Sequence, residues 1–101
     1  MCHGPIGLAS IKLSDGSYLV NGKNVAGFTN EEEAALKLTE YYPHHETGDT
    51  VENILTHVGA KHTKTVNWGV HVVTDGRLVS GQNPASADGV GLAVVAAVAA
   101  R

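Results

Sequence analysis

Cys2 and His3 stand side by side in the run Met1-Cys2-His3-Gly4-Pro5. A cysteine at a strand-to-helix junction places its sulfur near free helix N–H groups, which lower a thiol pKa. The backbone N–H of His3 can then face an oxyanion in nucleophile-elbow geometry. His3, directly after Cys2, offers an imidazole, a side-chain type suited to carrying protons. On adjacency alone, an inert or adventitious thiol near a terminus is the better reading. A second group with chemical capacity is Glu31-Glu32-Glu33 after Thr29-Asn30. Thr29 with Glu32, or Asn30 with Glu33, has the spacing of a capping box, and three carboxylates in a first turn suit the helix dipole. The other histidines are His44, His45, His57, His62 and His71, with Glu46 beside the first pair. None of their spacings matches an established zinc pattern, so they read as solvated loop residues and no metal is expected. Trp68 reads as packing, and Tyr41 and Tyr42, ahead of Pro43, as cover for the core.

These residues need elements to hold them. Gly4 to Ile11 reads as a short helix with Pro5 in its first turn. Asp15-Gly16 and Asn21-Gly22 are turn signals around Tyr18-Leu19-Val20, a brief strand or extended link. Val25-Ala26-Gly27-Phe28 reads as a buried strand, followed by a helix from the Thr29-Asn30 cap to about Tyr41. Thr50 caps a further helix in which Val51, Ile54, Leu55 and Val58 share one face, and Gly59 stops it. Val70–Thr74 and Leu78–Ser80 form a hairpin across Asp75-Gly76. After the loop Gly81-Gln82-Asn83-Pro84, Ser86 caps a last helix running to Arg101. That helix is apolar around most of its circumference, so it expects cover on more than one side.

The chain has 101 residues, enough for one small domain, and its apolar content comes from thirteen valines and twelve alanines rather than from its five aromatics. Such small residues suit a thin, closely packed α/β layer. Seven basic against ten acidic residues, with no basic block, argue against nucleic-acid binding. No apolar run has the length of a membrane span and no secretory signal opens the chain, so a cytoplasmic protein without membrane partners is expected. A single cysteine excludes an internal disulfide framework.

Three ordered motifs carry a resemblance. Cys2-His3-Gly4-Pro5, then Val25-Ala26-Gly27-Phe28-Thr29 with its glutamates, then Thr74-Asp75-Gly76-Arg77-Leu78-Val79-Ser80-Gly81-Gln82-Asn83-Pro84-Ala85-Ser86 resemble the DJ-1/PfpI superfamily. The likeness is to its glyoxalase III, heat-shock chaperone-like branch, which includes proteins of the type 1 glutamine amidotransferase-like class. The resemblance implies a flavodoxin-like (class I glutamine amidotransferase-like) α/β sandwich. It assigns Cys2 as nucleophile, His3 as its histidine with a backbone N–H for the oxyanion, and Glu33 as the triad acid. Glu33 could equally be a helix cap. Asn83-Pro84-Ala85-Ser86 matches a family motif and reads as a structural cap. The family places several strands and helices ahead of the nucleophile, among them a glutamate that hydrogen-bonds the cysteine. This chain has one residue there, so residues 1–101 correspond to the C-terminal portion of the domain, starting at the elbow.

By that resemblance the activity is cofactor-independent conversion of methylglyoxal to D-lactate, a glyoxalase III or D-lactate dehydratase reaction through a hemithioacetal and an enediol. The partners would be a small 2-oxoaldehyde and either a second copy of the chain or a complementary N-terminal half. Three alternatives stand beside it. One is a cysteine amidase or peptidase using the same thiol. Another is a stress-response chaperone or half-domain module with no activity of its own. The third is an N-terminal nucleophile, if Met1 is removed and the α-amine of Cys2 serves as base.

Overall fold

A computed structural model describes residues 1–37 and 50–100. Its strands form two pairs. β1 (Asn24–Val25) lies parallel to β2 (Lys61–His62), in the register Asn24 with Lys61 and Val25 with His62. β3 (Val72–Asp75) and β4 (Leu78–Gly81) form an antiparallel hairpin, with Asp75 opposite Leu78 across the turn Gly76-Arg77. The parallel pair demands a long crossover, and helices α1 (Asn30–Leu36) and α2 (Val51–His57) lie within it. The hairpin meets β1 through side chains: Asp75 accepts the Asn24 N–H at 2.7 Å, and Ser80 Oγ accepts the Ala26 N–H at 2.9 Å.

The core gathers around β1. Val20, Val25 and Phe28 pack with Val51, Leu55 and Val58 of the α2 segment, and Ile6, Leu8 and Tyr18 close one flank. Gly27 allows this approach, because a β-carbon there would lie 3.0 Å from Val51 Cγ1 and 3.3 Å from Leu55 Cδ1. Thr50 caps α2 by accepting the Asn53 N–H, and the chain turns away at Val58-Gly59, as expected.

Several expected elements are shorter. The first helix is a 3-10 turn over Gly4–Leu8, and of the two readings of residues 18–20 the link holds rather than the strand, with Tyr18 in an isolated bridge to Lys12. α1 stops at Leu36, because Lys37 turns left-handed at φ 54°. The part of its expected extent beyond Lys37 lies outside the described residues, as do Tyr41, Tyr42, His44 and His45. The last helix, α3 (Ala87–Ala99), follows a 3-10 turn at Pro84–Ser86, and Ser86 does not cap it. The Ser86 hydroxyl instead donates to Asn83 Oδ1 and accepts the His71 N–H.

α3 rests on the hairpin. Gly81 permits the contact, since a β-carbon there would lie 2.5 Å from Val90 Cγ2. Otherwise α3 is bare: none of its residues is buried, and Leu92 and Val95 are 73% and 68% exposed. The smallest dimension of the molecule is 16 Å, the thickness of one thin layer. No helix among the described residues is long and apolar enough to cross a membrane.

Candidate functional site

Cys2 has φ 53°, a left-handed conformation that is rare outside glycine. Two backbone bonds hold it there. Its N–H donates to the Gly81 carbonyl at the end of β4 (3.1 Å), and its carbonyl accepts the Phe28 N–H (2.8 Å). The turn that follows begins at once, with the Gly4 N–H donating to Met1 O and the Ile6 N–H to His3 O. Cys2 is thus pinned between the end of β4 and the 3-10 turn that follows it, in a left-handed position at the start of that turn. Among the described residues, the His3 N–H at this turn donates to no protein acceptor.

His3 and Glu33, distant in sequence, meet here: His3 Nε2 lies 2.7 Å from Glu33 Oε1. The side chains are unequally covered, His3 being 50% exposed and Glu33 11%. The capping alternatives resolve in favour of Thr29 and Glu32. Thr29 Oγ1 accepts the Glu32 N–H while Glu32 Oε1 accepts the Thr29 N–H, so the box is complete without Glu33. One helical turn thus assigns neighbouring carboxylates to different tasks, because successive side chains leave a helix about 100° apart. The His3 ring stacks against Phe28 with centroids 4.5 Å apart, and Phe28 meets Trp68 at 5.8 Å.

The thiol departs from expectation. Burial pushes the Cys2 thiol up, and the Glu32 carboxylate adds to that, against a downward pull from the Met1 amine. A five-residue 3-10 turn supplies little aligned dipole to oppose the burial. His62 is also not the solvated loop residue expected. It lies half-buried on β2 with Nε2 3.2 Å from Gly27 O, and burial pushes its pKa down. His71 faces Thr63 Oγ1 at 2.8 Å, and His57 ends α2 exposed. Among the described residues no three His, Cys, Asp or Glu side chains gather as a metal cluster.

Sequence reasoning missed a buried polar hub beside this pair. Glu32 Oε2 accepts the Trp68 N–H at 2.9 Å and Asn83 Nδ2–H at 2.8 Å, and Asn83 Nδ2 also donates to Gly69 O at 2.8 Å. Asn83, expected as part of a cap, therefore serves a tertiary contact. The signal available was three polar residues, Glu32, Gln82 and Asn83, beside turn and cap motifs that did not require all of them.

No family model matches the chain. Individual relatives do. The chain is 40% identical over 91 residues to the glutathione-independent glyoxalase of Saccharomyces cerevisiae, covering 86% of this chain and 37% of that protein. A probable glutathione-independent glyoxalase of Schizosaccharomyces pombe is 41% identical over 91 residues, covering 86% and 34%. The crystal structure of glyoxalase III from Candida albicans superposes with a TM-score of 0.84 at 33% identity, over 95% of this chain and 41% of that one. Fold and relatives together give the chain an α/β fold that resembles part of the DJ-1/PfpI-type glyoxalase III proteins. It spans little more than a third of the curated relatives' length.

Proposed function

We propose that this chain carries the thiol, imidazole and carboxylate of a glyoxalase III-type site that converts methylglyoxal to D-lactate without a cofactor. The supporting observation is the 2.7 Å contact between His3 Nε2 and Glu33 Oε1 beside a left-handed Cys2. In this reading Cys2 Sγ adds to the aldehyde carbon, forming a hemithioacetal. With Nε2–H donated to Glu33, His3 Nδ1 is the free nitrogen and removes the proton from that carbon. The resulting enediol takes a proton at the neighbouring carbon, which leaves a lactoyl thioester on Cys2. Water hydrolyses the thioester, releasing lactate and restoring the thiol. The His3 N–H is available to the oxyanion in the addition and hydrolysis steps.

The test is stereospecific D-lactate formation from methylglyoxal by the wild type and by Cys2→Ser and His3→Ala. Each variant should lose at least about a hundredfold in rate, the lower range for removing an acid–base group. Unchanged turnover in Cys2→Ser would refute the assignment. A cysteine hydrolase would share the thiol but yield no D-lactate.

The bare α3 supports a second statement: the site works in company with the remainder of a family-type domain. Exposed Leu92, Val94, Val95 and Val98 form an apolar face with no cover among the described residues, on a chain matching under half of its relatives. The complementary segment of such a relative, added in trans, should bind this chain and raise its turnover. Failure of the two to associate would count against this statement without touching the thiol chemistry.

A further inference from the structure

Residues 65–69 form a short exposed loop, yet three fully buried polar side chains are committed to holding it. Gln82 Oε1 accepts the Thr65 N–H at 2.9 Å, and Gln82 Nε2–H points at the Thr65 and Val66 carbonyls at 3.4 and 3.5 Å. Asn83 donates to Gly69 O, and Glu32 accepts the Trp68 N–H. Glu32, Gln82 and Asn83 are each 0% exposed. Within the loop the Gly69 N–H closes on Val66 O at 3.0 Å.

The grip centres on a strained residue. Trp68 has φ 63°, unfavourable for a bulky side chain and sustained only where surroundings over-determine it. The consequence is the placement of its indole, 42% exposed, next in line to Phe28 and His3. A loop needed only to join β2 to β3 would require neither the strain nor the buried grip.

We propose that Trp68 is a specificity-determining wall of the thiol site, limiting it to short-chain 2-oxoaldehydes, and that Glu32, Gln82 and Asn83 are positioning residues that set it. The substrate class rests on the glyoxalase reading above. The wall itself does not, because it bears on any carbonyl compound that reaches Cys2.

The chain contains one tryptophan and one cysteine, so each gives an unambiguous signal. Reversible addition of an aldehyde to Cys2 is read as protection of the thiol from iodoacetamide, a measurement that needs no turnover. Methylglyoxal and the bulkier phenylglyoxal are compared in the wild type, in Trp68→Gly and in Glu32→Gln. Glycine accepts the left-handed backbone, so Trp68→Gly removes the ring while leaving the loop its conformation. The protection ratio should move toward phenylglyoxal by about tenfold or more in Trp68→Gly, the scale on which pocket shape discriminates. Glu32→Gln should shift the ratio the same way, red-shift Trp68 emission and raise its acrylamide quenching, with far-UV circular dichroism retained. An unchanged ratio in Trp68→Gly overturns the wall and assigns the indole to packing against another segment. Unchanged emission and ratio in a folded Glu32→Gln overturn the positioning role; should that variant not fold, Gln82→Leu takes its place with the same criteria. Wild-type protection without D-lactate formation, both alone and with the complementary segment added in trans, would reject the glyoxalase reading and leave this proposal standing.

Discussion

Replacing Glu32 removes the acceptor shared by three parts of the chain. Its carboxylate takes the Thr29 N–H and hydroxyl at 3.2 and 3.1 Å, the Trp68 N–H at 2.9 Å and Asn83 Nδ2–H at 2.8 Å. Glu32→Ala strands at least the Trp68 and Asn83 donors in a buried site and breaks the capping box. At about 1–3 kcal/mol for each of the two stranded groups and about 1 kcal/mol for the cap, the loss is roughly 3–7 kcal/mol. That is a large part of the stability of a small domain, about 5–15 kcal/mol. Glu32→Gln preserves volume but turns one arm into a donor facing donors, so it should cost about 2–3 kcal/mol. The carboxylate also makes stability depend on pH. Burial alone would raise its pKa, but hydrogen bonds from the Trp68 N–H, Asn83 and Thr29 outweigh burial and hold it below the usual carboxylate range. A depressed folded-state pKa contributes stability that is present above the unfolded value, about 4.3, and lost as pH falls through the folded value. Urea unfolding of wild type, Glu32→Gln and Glu32→Ala from pH 7 to pH 3 measures both effects. The gap between wild type and Glu32→Gln should narrow as the solution is acidified. A Glu32→Gln variant within about 0.5 kcal/mol of wild type at pH 7, with a gap independent of pH, would refute this account of the hub.

Lys37→Gly should stabilise the chain by about 1 kcal/mol, since Lys37 holds φ 54° at the end of α1 where glycine carries no β-carbon penalty; a lower urea midpoint would contradict the cap geometry. The alkylation rate of Cys2 by iodoacetamide should still be climbing beyond the ordinary thiol pKa of about 8.5, because burial raises that of Cys2. A plateau reached near neutrality would show that the turn and amine, not burial, govern the thiol. On α3, Leu92→Lys with Val95→Lys should change the stability of the isolated chain by no more than about 0.5 kcal/mol per site, as for exposed positions. The same pair should abolish association with a complementary family segment, and undiminished association would place the contact elsewhere.

Local signals in the sequence located most of the elements because each carries its own punctuation. Thr50 and Gly59 bracket α2, Asp75-Gly76 marks the hairpin, and the glutamate run starts α1. Where an element's end depends on a single backbone dihedral, as at Lys37, composition gave no warning. The pairing of His3 with Glu33 was legible only through family resemblance: nothing local distinguishes the third glutamate from the second until helix rotation turns one toward Thr29 and the other toward His3. The Glu32 hub was illegible for a related reason. Its partners come from a loop near residue 68 and another at 83, and such long-range hydrogen bonds leave no periodicity. Thiol electrostatics failed in the opposite way, since a local rule about helix N-termini was applied to a turn too short and too buried to obey it.

Among the described residues, three left-handed non-glycine residues separate what this chain shapes by itself from what it leaves to be covered. At about 1–3 kcal/mol each, such conformations persist only where neighbouring structure imposes them. Lys37 is imposed by the end of a helix and is exposed, so its strain is disposable. Cys2 is imposed by Gly81 and Phe28, and Trp68 by Glu32 with the grip of Gln82 and Asn83 on its loop. Every one of those constraints comes from residues of this chain, as does the contact between His3 and Glu33. The residues that fix the thiol, imidazole, carboxylate and indole, namely Gly81, Phe28, Glu32, Gln82 and Asn83, all lie outside α3 in the sequence. A covering segment docked on α3 would supply stability and enclosure, while the orientation of these four side chains would precede it.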